Sequence, residues 1–206
     1  MGISLSEAKE IINPDLAKLL LEAINEGFKD FNGLDEKTRA ICSGTTRAMF
    51  VNDHMVHHAK DILGNRADVQ FVVRHGRIHV VIGQQPDKRI EVKLKKLNHN
   101  KRPSNILTNT VLAYNSQIPL KFPCQLELAD MPSPIANLIA GYKLNSLRTG
   151  IEAIYVVCPQ GSDNSWEWKL DSLGQPTMIP ESQLVSSFPK PIGVVPKKKA
   201  VTEHAA

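Results

Sequence analysis

Residues 69–82 read VQFVVRHGRIHVVI and residues 89–97 read RIEVKLKKL, and these two stretches decide the fold. Val, Ile and Phe dominate the first stretch, and His75-Gly76 divides it into two halves of strand length. Two β-rich runs joined by so short a turn are typical of a β-hairpin. The sequence therefore predicts an antiparallel meander of three strands at residues 69–74, 77–82 and 89–97.

Helices are predicted on the amino-terminal side of the meander. Ser4 and Glu7 have the spacing of a capping box. Pro14 stands at the first turn of a second helix, whose apolar residues recur every three or four positions. A third helix fills much of residues 35–63, with a break near Ser43-Gly44.

The carboxy-terminal part is predicted to complete the sheet. Residues 105–116 form a candidate helix, and three more β-rich stretches follow, at residues 135–144, 151–157 and 165–170. The sequence thus predicts an α+β fold with N-terminal helices packed on a mostly antiparallel sheet. We expect one domain, residues 1–180, with helices at 1–64 and sheet at 68–172. Residues 181–206 should form a flexible, extended basic tail.

Composition and cysteine content restrict the class of protein. The chain has 206 residues, 42% hydrophobic and 22% charged, which is typical of a globular domain. The three cysteines, Cys42, Cys124 and Cys158, form no CxxC pair, which argues against a zinc ribbon or a disulfide framework. The N-terminus lacks a signal-peptide pattern, and no apolar run approaches the ~20 residues that span a bilayer. We expect a cytoplasmic protein without a membrane partner.

Charge is distributed unevenly along the chain. Residues 1–36 carry a formal charge of −5, whereas residues 88–102, the basic segment, carry +6. Because alternate residues of a strand share a face, Ile90, Val92 and Leu94 should point to one side of the sheet. The other side should present Glu91 within a row of basic residues. The bases of the segment are Lys88, Arg89, Lys93, Lys95, Lys96, Lys101 and Arg102.

The basic segment leads to our first hypothesis, a non-catalytic nucleic-acid-binding or regulatory protein. Its seven bases would contact phosphates, giving salt-dependent binding with little sequence preference. DNA is the expected partner more than RNA. The segment has no aromatic residues on which single-stranded bases would stack, so binding should depend on the backbone. The alternatives are the outer face of an edge or half-exposed strand, whose lysines block edge-to-edge pairing, and a surface for an acidic protein. This hypothesis requires no cofactor.

A second hypothesis comes from a family resemblance. The predicted order of helix, three-strand meander, helix and strand, with Pro86-Asp87 and Glu91-Val92-Lys93, resembles the core of the PD-(D/E)xK nucleases over about residues 35–130. The resemblance implies that Glu91 and either Asp68 or Asp87 bind Mg²⁺, with Lys93 near the attacking water. Asp87 precedes Glu91 by four positions, whereas the family separates these motif halves across a hairpin.

A histidine cluster in the predicted third helix suggests a metal site. His54 and His58 lie four positions apart, so both imidazoles could bind one metal ion. Met55 occupies the position of the catalytic Glu in HExxH proteases, which excludes that chemistry. Asp61, His75 and His79 would complete a site only if the fold brought them close. The alternative is an ordinary helix face.

A third hypothesis is a protein-interaction module, such as an inhibitor or adaptor. Trp166 and Trp168 would share a strand face that could anchor a partner. GxSxG, Walker A and GxGxxG motifs are absent from the sequence, which leaves common hydrolase, NTPase and dinucleotide-binding functions without support. The compact sequence has the general appearance of small phage or mobile-element proteins.

Overall fold

A computed structural model of the chain describes residues 3–74, 76–84, 88–103, 108–117 and 136–170. The expected tail at residues 181–206, Cys124 and Asp87 lie outside the described residues.

Four helices precede the sheet: α1 (Leu5–Ile11), α2 (Pro14–Asn32), α3 (Glu36–Ile41) and α4 (Gly44–Leu63). Each helix begins after a residue whose side-chain oxygen accepts a hydrogen bond from the backbone N–H three positions later, which satisfies an otherwise unpaired donor. The capping box of Ser4 and Glu7 is present as predicted. The predicted third helix is two helices, because Ser43 caps α4 and ends the continuity with α3.

Six strands form one sheet in sequence order: β1 (Val69–Arg74), β2 (Arg77–Ile82), β3 (Ile90–Leu97), β4 (Ala136–Leu144), β5 (Ile151–Gln160) and β6 (Asp163–Lys169). All neighbouring strands are antiparallel except β3 and β4, which are parallel. Helix α5 (Asn109–Asn115) lies in the connection between these two strands. The predicted meander and the α+β class with a mostly antiparallel sheet are confirmed.

The main core lies between the helices and one face of the sheet. Helices α2 and α4 pack so closely that a Cβ added at Gly27 would lie 2.5 Å from the backbone nitrogen of Met55. Ile90, Val92 and Leu94 of β3 point into this core, as predicted. Trp168 is buried there, and Trp166 donates a hydrogen bond to the Ile3 carbonyl at 2.8 Å. The two tryptophans therefore serve packing, and they do not form the exposed pair that an interaction module would use.

A smaller core occupies the other face of the sheet. Leu97, Tyr114, Ile139 and Val157 pack together there, with Tyr114 contributed by α5. The Tyr114 hydroxyl lies 2.7 Å from the Leu138 carbonyl and 3.1 Å from the Glu91 carbonyl, which holds α5 over β3 and β4. The basic strand β3 is thus an interior strand with packing on both faces, and the alternative of an edge strand is wrong. None of the helices within the described ranges is long and apolar enough to cross a membrane.

Candidate functional site

A cavity opens where strands β2 and β3 separate. Their antiparallel ladder runs only from the pair Ile82↔Ile90 to the pair Val80↔Val92. Beyond the end of that ladder, residues of both strands line a cavity of about 670 Å³. The first turn of α4 and the inward face of α5 line it as well. The cavity is therefore built from the open end of the sheet and two helices.

The lining of this cavity, which we call the cationic cavity, is strongly basic. Five cationic side chains line it, and no acidic residue does so among the residues that the structure describes. The five are Arg74, Arg77, Lys93, Lys95 and Lys96. Hydroxyl and amide groups of Thr45, Thr108, Thr110, Asn52 and Asn115 add hydrogen-bonding capacity. Cations with hydrogen-bond donors beside them are what an anion site requires.

Helix α4 adds further positive potential to the cationic cavity. Gly44 and Thr45, the first residues of this 20-residue helix, belong to the lining. The first N–H groups of a helix lack partners within the helix, and the helix dipole places partial positive charge at this end. Ser43 caps only the Thr46 N–H. The backbone therefore supports the five cationic side chains in attracting an anion.

A buried ion cluster lies against the cationic cavity. Glu91 and His79 are each 3% exposed, and the Nδ1 atom of His79 lies 2.6 Å from Oε1 of Glu91. The Nε atom of Arg74 lies 2.8 Å from Oε2 of the same carboxylate, as an ion pair without hydrogen-bond alignment. Glu91 therefore has one partner at each oxygen, and it provides the negative charge beneath the basic lining.

The protonation state of this pair follows from its surroundings. Burial raises the pKa of Glu91, but the hydrogen bond from His79 and the nearby charges outweigh burial and lower the pKa below its usual value. Burial lowers the pKa of His79, more than the Glu91 hydrogen bond raises it. A neutral imidazole beside an ionised carboxylate must donate from Nδ1. The Nε2 atom is then the acceptor of the imidazole ring.

The surroundings of the three lysines in the cationic cavity disfavour their protonated forms. Burial lowers the pKa of Lys93 to about 8, with Glu91 opposing the shift and Lys95 and Arg74 adding to it. Burial lowers the pKa of Lys95, and Arg77 lowers it further. Lys96 shows the same direction from burial and from two arginines, Arg148 and Arg47. The lysines are partly desolvated and are repelled by their basic neighbours. A bound anion would reduce that repulsion and stabilise their protonated forms.

Lys93 and Tyr114 form a second contact of interest. The Nζ atom of Lys93 lies 3.3 Å from the centroid of the Tyr114 ring, a cation–π contact that partly compensates for burial of the charge. The same ring lies edge-on to His79, with centroids 6.1 Å apart. The Lys93 ammonium group and the His79 imidazole therefore both lie close to one aromatic ring.

The basic segment is divided among three environments. Lys93, Lys95 and Lys96 line the cationic cavity, although Lys96 alternates to the opposite face of β3 from the other two. Lys101 and Arg102 form ion pairs with Glu167 and Asp163. Lys88 is exposed and Arg89 half-buried, before the other end of β3, and neither belongs to the lining. The bases of the basic segment therefore do not share one surface, and only three of them line the cationic cavity.

The metal site implied by the nuclease resemblance is not assembled by the described residues. Both oxygens of Asp68 accept hydrogen bonds from Arg66, at 2.9 and 2.7 Å. Both oxygens of Glu91 are engaged by His79 and Arg74. Within the described ranges, no three His, Cys, Asp or Glu side chains are placed to hold a metal ion. Glu91 and Lys93 do share one face, as predicted, but Glu91 serves the ion cluster.

His54 and His58 have a different arrangement from the one expected of metal ligands. Nδ1 of His54 and Nε2 of His58 lie 2.6 and 2.8 Å from the same oxygen of Asp30. These contacts lower the pKa of Asp30, with the His54 hydrogen bond contributing most. Asp30 belongs to α2 and both histidines to α4, so the three side chains join the two helices. Asp61 pairs instead with His57, and His79 with Glu91.

Sequence reasoning missed four residues of the cationic cavity: Arg74, Arg77, His79 as a partner of Glu91, and Tyr114. Arg74 and Arg77 face each other across the tip of the first hairpin. Their symmetrical positions around His75-Gly76 could have predicted that the hairpin brings the two arginines together. Tyr114 gave none, because only the tertiary fold brings α5 over β3.

Titration of Lys93 is expected to show this environment directly. In a ¹³C NMR titration of the lysine side chains, Lys93 should titrate with a pKa of about 8, below the usual lysine value of 10.5. Inorganic pyrophosphate should raise that pKa, because a bound anion stabilises the ammonium form. A midpoint near the ordinary lysine value, unchanged by pyrophosphate, would contradict the geometry of the cationic cavity.

Comparison of the chain with family models, with curated proteins and with solved structures gave no match.

Proposed function

We propose that the protein binds nucleic acid by holding backbone phosphates in the cationic cavity. The observation that carries the proposal is the lining of this cavity, in which five cationic side chains and no described acidic residue surround about 670 Å³. Burial and like charges also lower the pKa values of its three lysines. A protein that keeps such charges together stores unfavourable electrostatic energy. A polyanion would release it on binding.

The number of cations favours a ligand with several phosphates. A single phosphate group would contact only two or three of the five cationic side chains. Arg47 and Arg148 lie near Lys96 and continue the positive charge beyond the lining. A cavity of about 670 Å³ is also within the range that accommodates a nucleotide-sized group. A nucleic-acid strand fits both features, with one nucleotide in the cavity and its neighbours outside.

The cationic groups would contact phosphates in different ways. Arg74 and Arg77 can each bind a phosphate with two parallel hydrogen bonds, whereas the lysines act as point charges. The first N–H groups of α4 would hold another phosphate oxygen. Such contacts carry little sequence information, so binding should depend on the backbone. We place this activity in the cytoplasm, where the free thiols of Cys42 and Cys158 would stay reduced.

Salt dependence of binding tests this proposal. Fluorescence anisotropy with labelled single-stranded RNA and DNA, in EDTA, would give Kd over a series of KCl concentrations. Five phosphate contacts predict a slope of log affinity against log salt of about −3.5, so Kd should rise about 100-fold between ~50 and ~200 mM KCl. No binding at ~50 mM KCl, or a slope near zero, would overturn the proposal.

A further inference from the structure

We infer that the cationic cavity cleaves RNA without a metal ion, with His79 accepting the proton of a ribose 2′-hydroxyl and Lys93 protonating the departing 5′-oxygen. This inference rests on the proposed binding of nucleic acid and names its substrate class, RNA. It also gives a role to the buried His79–Glu91 pair, which phosphate binding alone would not require.

The His79–Glu91 pair has the arrangement of an oriented general base. Glu91 accepts the Nδ1 proton of His79 at 2.6 Å, which fixes the tautomer and turns the basic lone pair to Nε2. His79 belongs to the lining of the cationic cavity, although it is 3% exposed. A buried base that reaches a ligand site, and whose other nitrogen is held by a carboxylate, is suited to removing a proton from a bound hydroxyl.

Lys93 is placed to act as the general acid. Lys93 follows Val92, and His79 precedes Val80, so both residues adjoin the last pair of the β2–β3 ladder. Both side chains line the cationic cavity and lie close to the Tyr114 ring, which also lines it. A base for the entering oxygen and an acid for the leaving oxygen, within reach of one bound phosphate, are what displacement at phosphorus uses.

The reaction balances without a co-reactant. The ribose 2′-oxygen forms a bond to the adjacent phosphorus, and its proton moves to Nε2 of His79. The bond from phosphorus to the 5′-oxygen breaks, and that oxygen takes a proton from Nζ of Lys93. The products are a 2′,3′-cyclic phosphate and a free 5′-hydroxyl, and solvent returns both enzyme groups to their starting states. Arg74 and Arg77 would stabilise the charge that develops on the phosphoryl oxygens.

The pH dependence follows from the groups around the two residues. Glu91, Lys93, Arg74 and Tyr114 surround His79, whose pKa lies below 6.5 because of burial. The rate should rise with pH as His79 loses its proton, and it should fall as Lys93 loses its own, with a pKa of about 8. The expected profile of kcat/KM is a bell with its maximum near neutrality.

The test uses the full chain, EDTA and two oligonucleotides of one sequence, RNA and DNA. We expect RNA cut to 2′,3′-cyclic phosphate ends and DNA bound but uncut, because DNA lacks the nucleophile. Lys93→Arg keeps the positive charge but is too weak an acid, so it should lower kcat about 100-fold or more while Kd stays within about threefold. His79→Gln should cause a similar loss of kcat, with folding checked by circular dichroism. Lys18→Met, an exposed change on α2 outside the lining, is the control that keeps full activity.

The outcomes separate this inference from the proposed function. RNA bound but uncut in EDTA, or cut only with Mg²⁺, overturns the inference and leaves nucleic-acid binding intact. Cleavage that persists in both His79→Gln and Lys93→Arg would come from a contaminating enzyme and also overturns it. Absence of binding overturns both proposals together. If His79→Gln does not fold, Lys93→Arg still tests the inference, because unchanged cleavage in that variant would overturn it.

Discussion

Changing Lys93 and Lys95 together to glutamate will weaken nucleic-acid binding about 100-fold or more at ~50 mM salt. Each phosphate contact contributes roughly tenfold to affinity at this salt concentration through counterion release, so the loss of two contacts alone accounts for the effect. The new carboxylates would also repel the phosphates. The slope of log affinity against log salt should become shallower by about 1.5. Anisotropy with labelled RNA measures both quantities.

The control for this prediction is a double variant of equal net charge. Lys18→Glu with Lys60→Glu changes two exposed lysines of α2 and α4 that lie outside the lining, and Kd should stay within about threefold. Lys95→Glu with Lys96→Glu is a second variant, which avoids placing a new acid beside Glu91. If both cavity variants fold and bind as tightly as the wild type, phosphate binding lies elsewhere on the chain.

Glu91→Ala is expected to destabilise the protein by about 3–5 kcal/mol, because it removes one partner of a buried ion cluster. His79 would lose the acceptor of its Nδ1 proton, and Arg74 would lose its ion pair at 2.8 Å. The positive charges of Lys93 and its neighbours would then face no buried carboxylate. Urea denaturation at neutral pH measures the free energy of unfolding.

Glu152→Ala is the matched control. Glu152 also lies on a strand and pairs with Lys143 at 2.7 Å, but its side chain is 46% exposed. Exposed pairs contribute about 0–1 kcal/mol, so this change should have little effect. Adding pyrophosphate should stabilise Glu91→Ala more than it stabilises the wild type, because bound anions replace the missing charge. Equal losses in the two variants would mean that Glu91 is not the central counter-ion.

Acid conditions should act on the same cluster. His79 has a folded pKa below its unfolded value of 6.5, so the unfolded chain takes up more protons and stability falls as the pH drops below 6.5. Glu91 has a folded pKa below 4.5, so its contribution is complete above pH 4.5 and is lost as the pH falls towards the folded pKa. The Glu91→Ala variant should lack the second loss.

Local sequence patterns were sufficient to predict most of the fold. Alternation predicted that Ile90, Val92 and Leu94 would face the core, and a dipeptide turn at His75-Gly76 predicted the first hairpin. Capping residues such as Ser4 predicted where helices begin. These features depend on neighbours within a few residues, which a sequence displays directly.

The cationic cavity was harder to predict because it depends on distant contacts. The parallel pairing of β3 with β4 joins Ile90 to Ala136, which are far apart in the chain. That crossover carries Tyr114 over β3 and places it beside Lys93. The basic segment marked the right strand, but it could not show that Arg102 would be paired with Asp163. Nor could the Glu91-Val92-Lys93 pattern show that the carboxylate would be held by His79.

Lysine footprinting reports which amines a nucleic acid covers, so it shows whether the bound strand lies on the cationic cavity. The protein would be acetylated briefly at about pH 7.5, with and without saturating RNA, and the modified lysines quantified by mass spectrometry. We predict strong protection of Lys93, Lys95 and Lys96 by RNA, reversed by high salt, and none at Lys18 or Lys60. Unchanged acetylation of the three cavity lysines, under conditions where anisotropy shows that RNA is bound, would mean that RNA binds outside the cationic cavity.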